Sequence, residues 1–160
     1  EQPIVGEDGQ ADHVIKRLML MATQDLDRSF LFALSDLDDP RINRRDRAYG
    51  LLRANGDPKP AYVALARLLQ ATGPRLRPLP PPVIDGGLPA GLVHMAWQRD
   101  DGRVVWVAWA HQAMAVRVPL RPAGVWLSPL TGQQQTVTAG SALPVDTELR
   151  VFVSDAPWKG

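Results

Sequence analysis

The 160-residue sequence contains no cysteine. That absence removes disulfide scaffolds, thiolate zinc sites and cysteine nucleophiles together, and leaves the redox compartment undetermined. Charge imbalance is missing too: 18 Lys+Arg stand against 17 Asp+Glu, a net charge of +1. No global field therefore recruits nucleic acid or an anionic membrane. The one basic cluster, Arg41, Arg44, Arg45 and Arg47, is interrupted by Asp46 and reads as a solvated loop. No apolar stretch approaches the roughly 20 residues of a spanning helix, so no membrane span is expected. The three histidines, His13, His94 and His111, are far apart with no second ligand at metal spacing, and neither a metal nor a cofactor is expected. Ser128, Ser141 and Ser154 lack a nucleophile-elbow context, and no glycine-rich phosphate loop follows a strand. Asp36, Asp38 and Asp39 lack the loop glycine and terminal glutamate of a calcium loop. The chain opens on Glu1 without a basic-then-apolar leader, so a mature or cleaved N-terminus is expected.

What is present is globular in composition, 45% hydrophobic and 22% charged. Ala11, Val14, Ile15, Leu18, Met19 and Ala22 recur at helical spacing and predict a helix over 10–24 with Asp8 as N-cap. Ser29 to Leu34 is a continuous apolar run, the pattern of a strand buried on both faces of a parallel sheet. A second helix starts at Pro58 or Pro60, carries Tyr62, Leu65, Leu68 and Leu69, and ends at Gly73-Pro74. Six prolines between Pro74 and Pro89 predict an extended connector and a domain boundary. Beyond it the period becomes two. Leu92 to Gln98, the Asp100-Asp101-Gly102 turn and Val104 to Ala110 predict a hairpin, and further short runs to Val153 predict an antiparallel sandwich of about seven strands. Two helices around one doubly buried strand do not make a sheet, so neighbouring strands are expected from elsewhere, in the same or another chain.

The segment Gly50-Leu51-Leu52-Arg53-Ala54-Asn55-Gly56-Asp57-Pro58-Lys59-Pro60-Ala61-Tyr62-Val63-Ala64-Leu65 resembles the final barrel helix of clan A glycoside hydrolases, among them enzymes similar to β-xylosidases and bacterial exopolysaccharide glycosidases. Gly9 to Arg17 resembles the seventh helix of such barrels, Arg28 to Asp36 the eighth strand, and the β-rich remainder their accessory β-sandwich. The resemblance implies α/β plus all-β architecture: the final α-β-α elements of a TIM barrel over 1–73, a proline-rich linker over 74–91 and an antiparallel sandwich over 92–160. It also implies a fragment of a retaining hydrolase acting on an oligosaccharide or polysaccharide, periplasmic or secreted, with the rest of the barrel as its partner.

Such enzymes use two carboxyl groups about 5 Å apart. With only Glu1, Glu7 and Glu148 in the chain, the acid/base is expected elsewhere, and Glu1 is the one candidate for a strand-seven nucleophile. TIM-barrel sites lie at the C-terminal ends of strands, which makes Ser35 and Asp36 the candidates for touching sugar. The alternative for Asp36 is a loop cap or an ion pair with Arg41 or Arg44. Of the five tryptophans, Trp97, Trp106 and Trp109 read as core or interface, with Trp106 and Trp109 on opposite strand faces, and Trp158 as exposed. The non-catalytic alternative is a carbohydrate-binding or assembly module, or a degenerate glycosidase scaffold.

Overall fold

The computed structural model describes residues 6–24, 26, 28–43 and 47–157. Two helices and eight strands follow in the order α1 (Gly6–Met21), α2 (Pro60–Thr72), β1 (Leu76–Leu79), β2 (Leu92–Arg99), β3 (Arg103–Ala110), β4 (Met114–Arg117), β5 (Gly124–Leu127), β6 (Gln134–Val137), β7 (Ala142–Val145) and β8 (Arg150–Pro157). They belong to two compact units that divide between Ala66 and Arg67, within α2.

In the first unit, α1 places Glu7 and Asp8 in its opening turn, where carboxylates complement the helix dipole. Asp8 is therefore inside the helix and not its cap. Ala11, Ile15 and Met19, spaced by four, form the buried stripe. The run from Ser29 to Leu34 forms no regular strand. Its end is held by isolated contacts: Leu51 and Leu52 donate their N–H groups to the carbonyl of Leu34, and Ser35 bridges Leu52 in parallel. Phe30 is 84% exposed, Phe32 82% and Leu34 65%. This overturns the doubly buried barrel strand expected there, and with it the α-β-α barrel architecture. A continuous apolar run signals burial only when neighbouring strands exist to cover it. Here the sheet is mainly antiparallel and is built by later residues.

In the second unit, six strands pair antiparallel in the order β1-β2-β3-β8-β5-β6, and β4 pairs with β7 in a separate two-stranded sheet. The β2–β3 hairpin pairs Leu92 with Ala110 through Gln98 with Val104, and Gly102 closes its turn with φ +80°. The core lies between the sheets. Leu92 and Ala96 of β2, Trp106, Ala108 and Ala110 of β3, Trp126 and Phe152 face Val116 of β4 with Leu143 and Val145 of β7. Alternation by two selects these residues. Trp106 belongs to this core and Trp109 does not, and both are buried. Gly124 admits β5 to the sheet, because a Cβ there would lie 2.3 Å from the Val153 carbonyl oxygen. The proline-rich stretch is structured: β1 lies at the sheet edge, where Pro78 costs no ladder bond, and Ile84 is buried in the core.

The last turns of α2 are bonded to this unit. Arg67 donates to the carbonyls of Pro129 and Leu130 at 3.2 and 2.7 Å, and Arg99 donates to that of Ala71 at 2.8 Å.

Candidate functional site

The loop between Leu34 and α2 folds around one carboxylate. Asp36 lies just past the apolar run, and its Oδ1 accepts from Lys59 Nζ at 2.7 Å and from Gly50 N–H at 2.8 Å. Lys59 also donates to the Ala48 carbonyl at 3.1 Å. The side chains of Lys59 and Asp36 are 3% and 17% exposed. A buried ammonium requires this number of acceptors, because burying a charge is costly unless it is paired and hydrogen-bonded. Lys59 immediately precedes Pro60, the first residue of α2, so the start of the helix positions the cation.

Gly50 is required by close approach. A Cβ at this position would lie 2.2 Å from Asp36 N and 2.3 Å from the Ser35 carbonyl carbon. Ser35 Oγ donates to the carbonyl oxygens of Asp36 and Arg53, each at 3.3 Å. Arg53 reaches the first turn of α1, where its guanidinium grips Glu7 by two bonds, at 2.6 and 3.1 Å. That bond raises the Arg53 pKa above its ordinary value. Gln10 Nε2 donates to the carbonyls of Tyr49 and Gly50.

This arrangement binds backbone and leaves little chemistry free. Asp36 and Ser35, the candidates for contacting sugar, do lie together at the end of the apolar run, but both are engaged in holding the loop. The partner of Asp36 is Lys59 and not Arg41, which pairs with Asp39 at 2.7 Å. Arg44 and Glu1, the expected nucleophile candidate, lie outside the described residues. Sequence reasoning missed Lys59 and Arg53. A lysine directly before a helix-starting proline, one turn after a Leu-Leu pair, was the available signal for a cation fixed at a helix start.

In the second unit the polar groups are also structural. Ser128 Oγ, fully buried, donates to Glu148 Oε1, and Glu148 Oε2 pairs with Arg150 at 2.7 Å. Arg121 is 1% exposed and lies 4.7 Å from the Phe152 ring centre. It donates to the carbonyls of Pro122, Thr138 and Ser141, and burial lowers its pKa. Trp97, Trp106, Trp109 and Trp126 are all buried and offer no stacking platform for a sugar. Trp158 lies outside the described residues. Among the described residues, no three His, Asp or Glu side chains gather as a metal site, and no helix is long and apolar enough to cross a membrane.

No protein-family model matches the chain, and no curated protein matches it. The resemblance to the end of a clan A glycoside hydrolase barrel, drawn from residues 9–17, 28–36, 50–65 and the β-rich remainder, is overturned by the fold, in which two helices accompany antiparallel sheets and no barrel strand forms at 29–34, and no family match supports it. Its lysine-proline pair marks the seat of the Asp36 ion pair and the start of a helix in a chain whose sheets are antiparallel.

Proposed function

We propose that the chain is a non-catalytic assembly module, with a β-sheet domain that carries its own core and a helical first unit that docks on other polypeptide. The observation that carries this is the exposure of Phe30, Phe32 and Leu34 beside a loop in which Asp36 and Lys59 are already engaged with each other and with backbone. Three large apolar side chains in one short segment left in water are costly, at about 1.5–3 kcal/mol for each that burial would recover. Exposed apolar side chains gathered in one short segment support an interaction site. Action on an oligosaccharide or polysaccharide, expected from the sequence, enters the proposal only as the activity of an assembly that the chain would complete. Asp36 and Ser35 would then support a site and not react in it.

Two measurements test the proposal. The purified chain is expected to release no chromophore from a panel of nitrophenyl glycosides, and turnover that disappears in Asp36→Asn would refute the non-catalytic reading. The wild-type chain is expected to bind an apolar dye and to self-associate in sedimentation velocity, both weakened in the Phe30→Ser, Phe32→Ser double variant. Identical behaviour of the two proteins would remove the docking surface.

A further inference from the structure

His94 lines a shallow apolar cavity of about 240 Å3 whose other walls are Pro81, Pro82, Val83, Ile84, Gly87 and Leu88. Trp106 Nε1–H donates to His94 Nδ1 at 3.3 Å, the rings meeting edge to face at 6.3 Å. An indole N–H only donates, so Nδ1 must carry a lone pair and the imidazole proton resides on Nε2. Trp106 is fully buried and stacks on Trp126 at 5.6 Å, and Trp126 Nε1–H donates to the Pro144 carbonyl. A line of rings therefore runs from the cavity through the core to β7. Protonating Nδ1 would turn the first link into two N–H groups facing each other, and would place a cation against a fully buried ring.

The wall that can yield is the segment 81–88. Asp85 N–H donates to the Arg117 carbonyl at 2.9 Å, the Asp85–Arg117 ion pair spans 3.6 Å, and Ile84 inserts into the core. A further backbone bond of the strap, from Gly87 N–H to the Ile84 carbonyl, is internal. Val83 and Leu88 are 83% and 66% exposed. Few buried contacts and few bonds place a segment at the low end of local stability.

We propose that His94 is a pH-sensitive latch: under mildly acidic conditions its protonation loosens the 81–88 strap, which walls the shallow cavity beside His94 and whose Ile84 shares the core with Trp106. Burial holds the closed-form pKa of His94 below its ordinary 6.5. The strap's closed state is therefore fully favoured above about pH 6.5, and its advantage shrinks as pH falls from there through the closed-form pKa. The charged groups of the surrounding elements are occupied elsewhere. Asp85 of the strap pairs with Arg117 of β4, Arg99 of β2 and Arg103 of β3 with Asp101, and Arg150 of β8 with Asp146 and Glu148. Arg77 of β1 lies opposite Gln98, and His111, after β3, bonds through its backbone to Gly91. Among the described residues no carboxylate is bonded to His94 to stabilise an imidazolium.

Amide exchange on the full chain between about pH 7.5 and about pH 5, corrected for intrinsic rates and read beside the ring titration of His94 by NMR, tests the latch. Exchange at Asp85 is expected to rise, by up to about tenfold per pH unit, as pH falls from about 6.5, and to level off once the His94 ring has titrated, while Val107 in β3 stays unchanged. His94→Gln is expected to leave Asp85 protection independent of pH. A flat wild-type profile, or an equal rise in His94→Gln, overturns the proposal. If His94→Gln does not fold, Asp85→Asn decides: strap opening that still follows the His94 titration upholds the latch, and loss of the pH dependence assigns it to the Asp85–Arg117 pair and overturns it.

Discussion

Replacing Lys59 by methionine keeps the length of the side chain and removes its charge. Asp36 would retain only the Gly50 N–H, and the Ala48 carbonyl would lose its donor. Removing one partner of a buried ion pair costs about 3–5 kcal/mol, because the remaining charge is stranded. Asp36 keeps 17% of its side-chain surface in water, which places the expectation at the lower end, about 3 kcal/mol. At about 1.4 kcal/mol per decade, the opening equilibrium of the loop should grow roughly a hundredfold. The readout is amide exchange at Asp36, Gly50 and Leu52, whose N–H groups all bond within this loop, with Val107 of β3 as an internal control. Lys59→Met combined with Asp36→Asn should recover part of the loss, since the stranded charge is gone. A change below threefold in the single variant, or a double variant that loses the full sum of both, would refute the assignment of Lys59 as the anchor of the first unit.

Gly50→Ala should destabilise the same loop by about 3 kcal/mol, the upper end of overpacking costs, because its Cβ would meet backbone that cannot rotate away. Chemical denaturation monitored by the same amides would show it, and a fully stable variant would mean that the Ser35–Asp36 backbone yields. Arg121→Lys keeps the buried charge but loses the guanidinium fork that spans the carbonyls of Pro122, Thr138 and Ser141. A loss of about 2 kcal/mol in the unfolding of the β domain is expected, and a neutral result would show that one ammonium satisfies the same carbonyls.

The β2–β3 hairpin was legible because period-two alternation and an Asp-Asp-Gly turn point the same way. The second helix was legible from its proline start and glycine end, with Gly73 in the left-handed region at φ +75°. The strand β1 was not. Prolines read as linker, and nothing local reveals that Pro78 occupies a sheet edge whose N–H side needs no partner. The apolar run at 29–34 misled for a related reason. Its composition reports that burial would be favourable, and whether a neighbour supplies that burial is a property of the whole fold. At the candidate site Asp36 and Ser35 were found by position along the chain, but Lys59 and Arg53, the partners that define what they do, depend on contacts 23 and 18 residues distant.

The same run has a consequence for the chain during its synthesis. Ser29-Phe30-Leu31-Phe32-Ala33-Leu34 is a six-residue window of high β-propensity with no charge and no proline, the composition from which steric zippers are built. Arg28 and Asp36 flank it as gatekeepers of opposite sign. Stacking of this window against copies of itself therefore competes with folding of the chain. Chain concentration enters the stacking more steeply than the folding, so dilute, slow synthesis favours the soluble protein.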